Sequence, residues 1–197
     1  NNAKMFLGGG SNVLFTKDFI GLVILNKLHG IEIVNETDEM VFVKAMGGEL
    51  WHDLVAYTME HNYWGIENLA LIPGTVGAAP MQNIGAYGAE LSDVLENVEA
   101  FDLSNGEKKI FSKIECELGY RDSVFKNKLK GQYFITAITL KLSKIPKLNI
   151  SYKVLDEHIK NNSINVKTSK DVGEVVMNIR KSKLPDPKHI GNAGSFF

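Results

Sequence analysis

A run of small residues at 72–90 (IPGTVGAAPMQNIGAYGAE) constrains the fold more than any other part of the sequence. Nearly all of these nineteen residues are small, and Glu90 is the only charged one. Small residues let a flat ligand or a diphosphate approach the main chain, and a helix N-terminus favours an anion. The run predicts a short helix between two glycine-containing turns. A close crossing of backbones would explain any single glycine, but the length of the run favours a ligand.

A second glycine-rich segment, 8–12 (GGGSN), lies within a predicted strand, loop, strand unit at 5–15. Three glycines allow backbone N–H groups to point into one concavity, which suits an anion such as a pyrophosphate. Ser11 and Asn12 add side-chain donors. The triplet matches neither the Walker loop nor the G-x-G-x-x-G pattern, so a tight turn between strands remains the alternative.

Arg121 lies among aromatic and apolar residues in the segment 118–126 (LGYRDSVFK). An unpaired guanidinium in such surroundings would be costly, so we expect it to meet a carboxylate or a phosphate. The neighbouring Asp122 could supply that carboxylate. The sequence therefore leaves a structural ion pair and a ligand contact equally open.

Ser195 lies on a predicted glycine turn at the C-terminal end, in the segment 191–197 (GNAGSFF). No base of the nucleophile-elbow kind is adjacent to it, which argues against a serine hydrolase. His189 is six residues away, and we expect it to be an exposed loop histidine.

Elsewhere the hydrophobic pattern predicts an α+β fold in which strands dominate. A helix is predicted over 49–63 and another over 171–181, each with apolar residues on one face. Predicted strands occupy 22–25, 31–34, 41–45 and 133–142, and a hairpin over 98–111 turns at Ser104-Asn105-Gly106.

Charge and composition exclude several classes of partner. The net charge is -1 and no lysine-rich run occurs, so we expect neither a nucleic acid nor a membrane as partner. The longest apolar runs, such as 21–25, are far shorter than the ~20 residues that span a bilayer. Cys116 is the only cysteine, which fits a reducing cytoplasm and a buried structural thiol.

Four motifs together resemble one enzyme family. They are GGGSN at 8–12, the Ile-Pro-Gly to Ala-Tyr-Gly run at 72–88, YRDS at 120–123 and GNAGSFF at 191–197. Their order and spacing are similar to those of the UDP-N-acetylenolpyruvoylglucosamine reductases, and the resemblance covers essentially the whole chain. The stretches 67–74 and 82–88 are too long for a chance agreement.

The resemblance implies a two-lobed FAD-binding fold of the vanillyl-alcohol-oxidase type, with the third, substrate-covering domain missing here. It also implies a reaction in which NADPH reduces FAD and the flavin then passes hydride to the enolpyruvyl group of a UDP-sugar. Arg121 matches the arginine that stabilises the charge developing beside the substrate carboxylate. Ser195 matches the serine that protonates the substrate carbon, and its alternative role is to cap a turn. We expect a cytoplasmic monomer.

The resemblance further assigns binding residues. Tyr87, Tyr152 and Lys183 match substrate contacts, although Tyr152 could be an ordinary surface tyrosine. Lys183 and Arg180 could simply be cations at a helix C-terminus. The FAD contacts implied by the resemblance are Gly8, Gly9, Gly10, Ser11, Asn12, Pro73, Gly74, Gly77, Ala78, Gly85, Ala86, Gly88 and Arg180.

Both ends of the chain interrupt predicted elements, so we expect the chain to be cut from a larger protein. We expect residues 1–28 to be the remainder of the first FAD-binding lobe, 29–184 the second lobe and 185–197 the start of the substrate domain. The family's catalytic glutamate near the C-terminus has no counterpart, so we expect this chain alone to be inactive. A flavin-binding module without turnover is one alternative. Another is an oxidase with flavin tethered to His or Cys, although the five histidines lie outside the flavin motifs.

Overall fold

The computed structural model describes residues 3–185 and 189–190. The strands are β1 Lys4–Leu7, β2 Leu22–Leu25, β3 Ile31–Glu36, β4 Met40–Met46, β5 Gly85–Ala86, β6 Ala89–Glu90, β7 Leu95–Asp102, β8 Lys108–Ser112 and β9 Tyr133–Ser143. The α-helices are α1 Trp51–Glu60, α2 Leu91–Val94, α3 Lys153–Asn161 and α4 Ser169–Lys183. Two 3-10 helices occupy Glu67–Leu69 and Val76–Gln82.

A five-stranded antiparallel sheet forms the centre of the fold, in the order β3-β4-β9-β7-β8. Strand β4 shows why it forms: Val41, Val43 and Ala45 alternate with partly exposed residues and are fully buried. Helices α1 and α4 contact each other, and their apolar faces belong to the same core as the sheet. The predicted hairpin is confirmed as β7 and β8, with Gly106 N donating to Asp102 O at 2.8 Å.

Helix α4 follows the predicted apolar stripe, because Val172, Val175, Val176 and Ile179 are all buried. It starts at a capping box: Thr168 accepts from the backbone of Asp171, whose carboxylate accepts from the backbone N–H of Thr168. The helix ends at Lys183, two residues beyond the predicted end. No helix in residues 3–185 is long and apolar enough to cross a membrane.

Strands β1 and β2 form a separate two-stranded parallel sheet. It contacts the larger sheet through the Phe6 and Phe134 rings, whose centroids are 5.2 Å apart, and through buried Asn26, which donates to Ile135 O at 3.0 Å. The predicted strand after the glycine loop is wrong: residues 11–21 contain no strand, and Leu14 is 87% exposed. A strand needs a neighbour for its backbone groups, and the residues described here provide none at that position.

Candidate functional site

The two glycine-rich segments, far apart in sequence, lie against each other. A Cβ at Gly8 would overlap Thr75 Oγ1, and one at Gly9 would lie 3.5 Å from Gly74 Cα. Asn12 Nδ2 donates to Gln82 Oε1 at 3.1 Å and links the first segment to the second 3-10 helix. The close approach requires glycine at position 8. The segments therefore form one continuous backbone surface.

Beside this surface is a cavity of about 230 Å³. Its lining residues are Ile72, Gln82, Ile84, Gly85, Arg121 and Arg180. The two arginines come from a loop and from the last turn of α4, and both face the same space. A cavity with two guanidinium groups and no acidic residue in its described lining suits an anionic ligand.

Arg121 is exposed, so the expectation that it lies in apolar surroundings is wrong. Its Nη2 donates to Gly85 O at 2.7 Å, and its guanidinium lies 5.5 Å from the Tyr120 ring centroid. The Asp122 carboxylate accepts from Asn127 Nδ2 at 2.8 and 2.9 Å and forms no ion pair with Arg121. Within residues 3–185 and 189–190, no carboxylate lies within 4.0 Å of this guanidinium. The structural ion pair is therefore excluded for the described residues, and the guanidinium remains free to meet a ligand.

Arg180 differs from Arg121 in its burial and in its hydrogen bonds. Its side chain is partly buried, and its Nε has no hydrogen-bond partner in the part of the chain that the structure describes. Burial lowers the pKa of Arg180, while the Tyr87 hydroxyl, which accepts a hydrogen bond from the guanidinium, acts in the opposite direction. Removal of a cation from water without a carboxylate is unfavourable, so this position suits a ligand that brings negative charge.

Tyr87 lies next to Arg180 and is in contact with Tyr152. Their rings make an edge-to-face contact at 5.7 Å, and Tyr152, which precedes α3, is 47% exposed. Asn68 Nδ2 donates to both Tyr87 O and Asn149 O at 2.8 Å. Burial raises the pKa of Tyr87, which keeps its hydroxyl protonated at neutral pH. Tyr152 is therefore an exposed residue whose ring packs against Tyr87.

The remaining residues predicted to bind ligands or to act in catalysis differ in exposure and in their contacts. Lys183 is exposed at the end of α4, three residues after Arg180. Gly77 makes a backbone crossing, since its N–H donates to Gly47 O at 2.9 Å. Pro73 and Gly88 are exposed, whereas Ala78 and Ala86 are partly buried. His189 is exposed as expected, and Ser195 lies outside the described residues.

Sequence reasoning missed Gln82, Asn83 and Asn68 as site residues. Gln82 lines the cavity, and the Asn83 and Asn68 amides hold neighbouring loops. All three are polar residues within or beside an otherwise small and apolar segment, and that contrast is the signal that could have revealed them. Cys116 is buried as predicted, and burial raises its pKa to about 12, so it is not a reactive thiol.

Two buried polar atoms test whether FAD suits this site. Thr75 Oγ1, beside Gly8, and Arg180 Nε both lack a hydrogen-bond partner among the described residues. Buried polar groups in native proteins are normally paired. A diphosphate or a polar ring edge could supply acceptors at both positions. The glycine surface and the arginines thus fit a flat, anionic dinucleotide.

Comparison with known proteins gives the family. The sequence profile of an FAD binding domain matches residues 1–111. The UDP-N-acetylenolpyruvoylglucosamine reductase of Flavobacterium johnsoniae is 48% identical over 198 residues, which are 100% of this chain and 59% of that protein. The enzyme of the same name from Amoebophilus asiaticus is 49% identical over 98% of this chain and 57% of that protein. The chain thus spans less than two thirds of the length of these curated relatives.

A solved structure shows the fold. The crystal structure of UDP-N-acetylenolpyruvylglucosamine reductase from Thermus caldophilus superposes with a TM-score of 0.68 at 22% identity, covering 98% of this chain and 60% of that one. The α+β class predicted from the hydrophobic pattern and the FAD-binding fold implied by the resemblance are both confirmed. The chain belongs to the FAD binding domain family and is similar along its whole length to the UDP-N-acetylenolpyruvoylglucosamine reductases.

Proposed function

We propose that the protein containing this chain reduces the enolpyruvyl ether of UDP-N-acetylglucosamine to UDP-N-acetylmuramate, a precursor of peptidoglycan, with NADPH as the hydride donor. The observation that carries the proposal is the convergence of Arg121 and Arg180 on one cavity beside the paired glycine segments. The identity of 48–49% to reductases of that name over nearly the whole chain supports the same substrate.

The two glycine-rich segments and Arg180 would hold FAD noncovalently. Backbone N–H groups of 8–12, with Ser11 and Asn12, would bind the diphosphate, and the surface between Pro73 and Gly88 would accept the flat part of the cofactor. Bound FAD would supply the hydride-carrying group between NADPH and the substrate. The buried Arg180 Nε and Thr75 Oγ1 support this assignment because each requires a partner.

Arg121 would stabilise the negative charge that develops beside the substrate carboxylate. A permanently charged, planar guanidinium can bind a carboxylate through two parallel hydrogen bonds. Two features of Arg121 support the role: it is exposed at the cavity, and its guanidinium has no carboxylate partner within the described ranges. Its bond to Gly85 O fixes one Nη and leaves the remaining donors for a ligand.

Ser195 would deliver the proton to the substrate carbon. A hydroxyl is a weak acid in water, so it must rely on its position and on the basicity of the enol intermediate. Tyr87, Tyr152 and Lys183 would contact the substrate, with Lys183 beside a phosphate. The contact between Tyr87 and Tyr152 supports their grouping.

We also propose the domain boundaries and the setting. Residues 1–28 belong to the first FAD-binding lobe, 29–184 to the second and 185–197 to the start of the substrate domain; the separate β1–β2 sheet supports the first boundary. The protein is a cytoplasmic monomer.

The test uses the full-length protein. We expect it to be yellow, to release intact FAD on acid precipitation, and to oxidise NADPH over many turnovers only when the enolpyruvyl UDP-sugar is present. Flavin that stays attached to the acid precipitate would contradict the family assignment. Equal NADPH oxidation with and without the UDP-sugar would contradict the substrate.

A further inference from the structure

The turn that carries Arg121 is tied to the glycine-rich segment by three hydrogen bonds. They run from Asn83 Nδ2 to Gly119 O at 3.0 Å, from Arg121 Nη2 to Gly85 O at 2.7 Å, and from Ser123 Oγ to Met81 O at 2.8 Å. In the turn the bonded residues are at positions 119, 121 and 123, and in the glycine-rich segment they are at positions 81, 83 and 85. One of them involves Arg121 itself, and the other two restrain the backbone on either side of it.

The backbone at Arg121 needs such restraint. Its φ is +54°, in the left-handed region that a long side chain rarely adopts. Gly119 and Asp122 close the turn through hydrogen bonds of 3.1 and 3.2 Å. Strained conformations of this kind persist only when the surroundings fix them, and they occur at ligand sites.

Asn83 is the residue on which this hydrogen-bond network centres. Its side chain is fully buried, and its Nδ2 donates to Glu90 Oε2 at 2.8 Å as well as to Gly119 O. Its Oδ1 accepts from Ser92 N at 2.9 Å. The donor and the acceptor of the amide are therefore both satisfied. The amide joins the Arg121 turn, through Gly119, to Glu90 and Ser92. No ligand contact is needed to explain its burial.

We propose that Asn83 is a positioning residue that sets the direction of the Arg121 guanidinium through the Gly119 carbonyl. The inference rests on the proposed role of Arg121 in the substrate half-reaction. Loss of the amide would let the 119–122 turn relax from its strained conformation, and the guanidinium would then lose its alignment with the substrate carboxylate. Misplacement by about 1 Å can cost on the order of 10²-fold in rate.

The variant that tests this is Asn83→Gly in the full-length flavin-loaded enzyme. The φ of Asn83 is +44°, which glycine adopts without strain, so the change removes the amide and keeps the backbone permitted. Asn62→Gly is the matched control. Asn62 also follows a helix with a positive φ, of 54°, and its Oδ1 accepts from distant Ser169 N at 3.1 Å, whereas the Asn83 side chain bonds to the Arg121 turn.

We expect Asn83→Gly to slow flavin reoxidation by the enolpyruvyl substrate by ~10-fold or more, with flavin reduction by NADPH unchanged. Hydrogen exchange measured by mass spectrometry should be faster in the 119–123 turn of this variant, with or without substrate. Asn62→Gly should change neither half-reaction nor the exchange of that turn. Ser123→Ala removes the separate hydrogen bond to Met81 O, and it should likewise slow reoxidation without changing reduction by NADPH. This second variant covers the case in which Asn83→Gly fails to fold.

The rate changes must also depend on Arg121. In an Arg121→Lys background, Asn83→Gly should add little further slowing, because the guanidinium that it positions is already absent. Equal slowing of both half-reactions by Asn83→Gly, or full additivity with Arg121→Lys, would overturn the positioning role. If Arg121→Lys itself leaves reoxidation intact, the proposed function of Arg121 fails instead, so the two failures are distinguishable.

Discussion

Arg121 and Arg180 line the same cavity from two regions of the chain that differ in exposure and in restraint. Arg121 is exposed on a strained turn, and its guanidinium is fixed by a hydrogen bond to the backbone carbonyl of Gly85. Arg180 is partly buried on a regular helix, and it contacts Tyr87. A hydrated cation exchanges water for a transient ligand at little cost, whereas a desolvated cation suits a resident one. On this ground we propose that Arg121 serves the substrate and Arg180 the cofactor.

The largest expected effect involves Ser195, which we place in the same half-reaction as Arg121. In the full-length protein, Ser195→Ala should reduce turnover by ~10²–10⁴-fold, the usual contribution of general acid catalysis. Flavin reduction by NADPH needs no such proton and should be nearly intact in stopped-flow traces. Ser195→Cys should keep some activity because a thiol can also donate a proton. A Ser195→Ala enzyme with near wild-type turnover would reduce this residue to a structural role.

The next effect separates the two arginines directly. Arg121→Lys keeps the charge but loses the planar fork, so reoxidation of the flavin by substrate should slow by ~10²-fold. Reduction by NADPH should not change. Arg180→Lys is the matched control, and we expect it to affect FAD retention more than either rate. If both variants show one kinetic profile, the distinction between a substrate arginine and a cofactor arginine is wrong.

Arg180→Met tests the cost of burial. Methionine fills similar space without an unpaired charge, so the thermal midpoint of the flavin-free protein should stay the same or rise. The Kd for FAD should rise by ~10-fold, which corresponds to about 1.4 kcal/mol. Lys183→Met, at an exposed position one turn further on, should leave the Kd for FAD unchanged. A large fall in the midpoint with Arg180→Met would mean that the guanidinium stabilises the fold itself.

The smallest effect concerns the helix that carries Arg180. Backbone N–H groups of Lys167 and Thr168 lower the pKa of Asp171 below its usual value. The folded pKa lies below the unfolded value of about 3.9, so this stabilisation is present above the unfolded pKa and is lost as pH falls through the folded pKa. At neutral pH, Asp171→Ala should lower the free energy of unfolding by about 1 kcal/mol.

The control for that helix cap is Asp156→Ala in α3. Asp156 forms an exposed pair with Lys160 at 2.7 Å, so its loss should cost only about 0.3–0.5 kcal/mol. Thermal denaturation of the full-length variants over a pH series measures both. A stability difference between wild type and Asp171→Ala that persists below the folded pKa would contradict the electrostatic account of the cap. Neither variant should alter the Arg121 half-reaction, because that turn does not depend on α4.

The sequence by itself determined the elements whose signals are local. The apolar stripe predicts α4 and its buried face, and the apolar run at 41–45 and the alternation at 133–142 predict two central strands. The glycine segments indicated where a ligand could approach the backbone, because only small residues permit that contact. Such signals work because period, capping and steric size act over a few residues.

Only the tertiary structure decided which of these segments meet. Arg121 and Gly85 lie 36 residues apart, and Gln82 and Asn12 lie 70 apart, yet each pair is hydrogen-bonded, and Arg121, Gly85 and Gln82 line one cavity. The sequence also predicted apolar surroundings for Arg121 from its neighbours. This prediction was wrong, because Arg121 lies in a turn with a positive φ and its side chain is exposed. Burial depends on the packing of distant segments, and local composition cannot determine it.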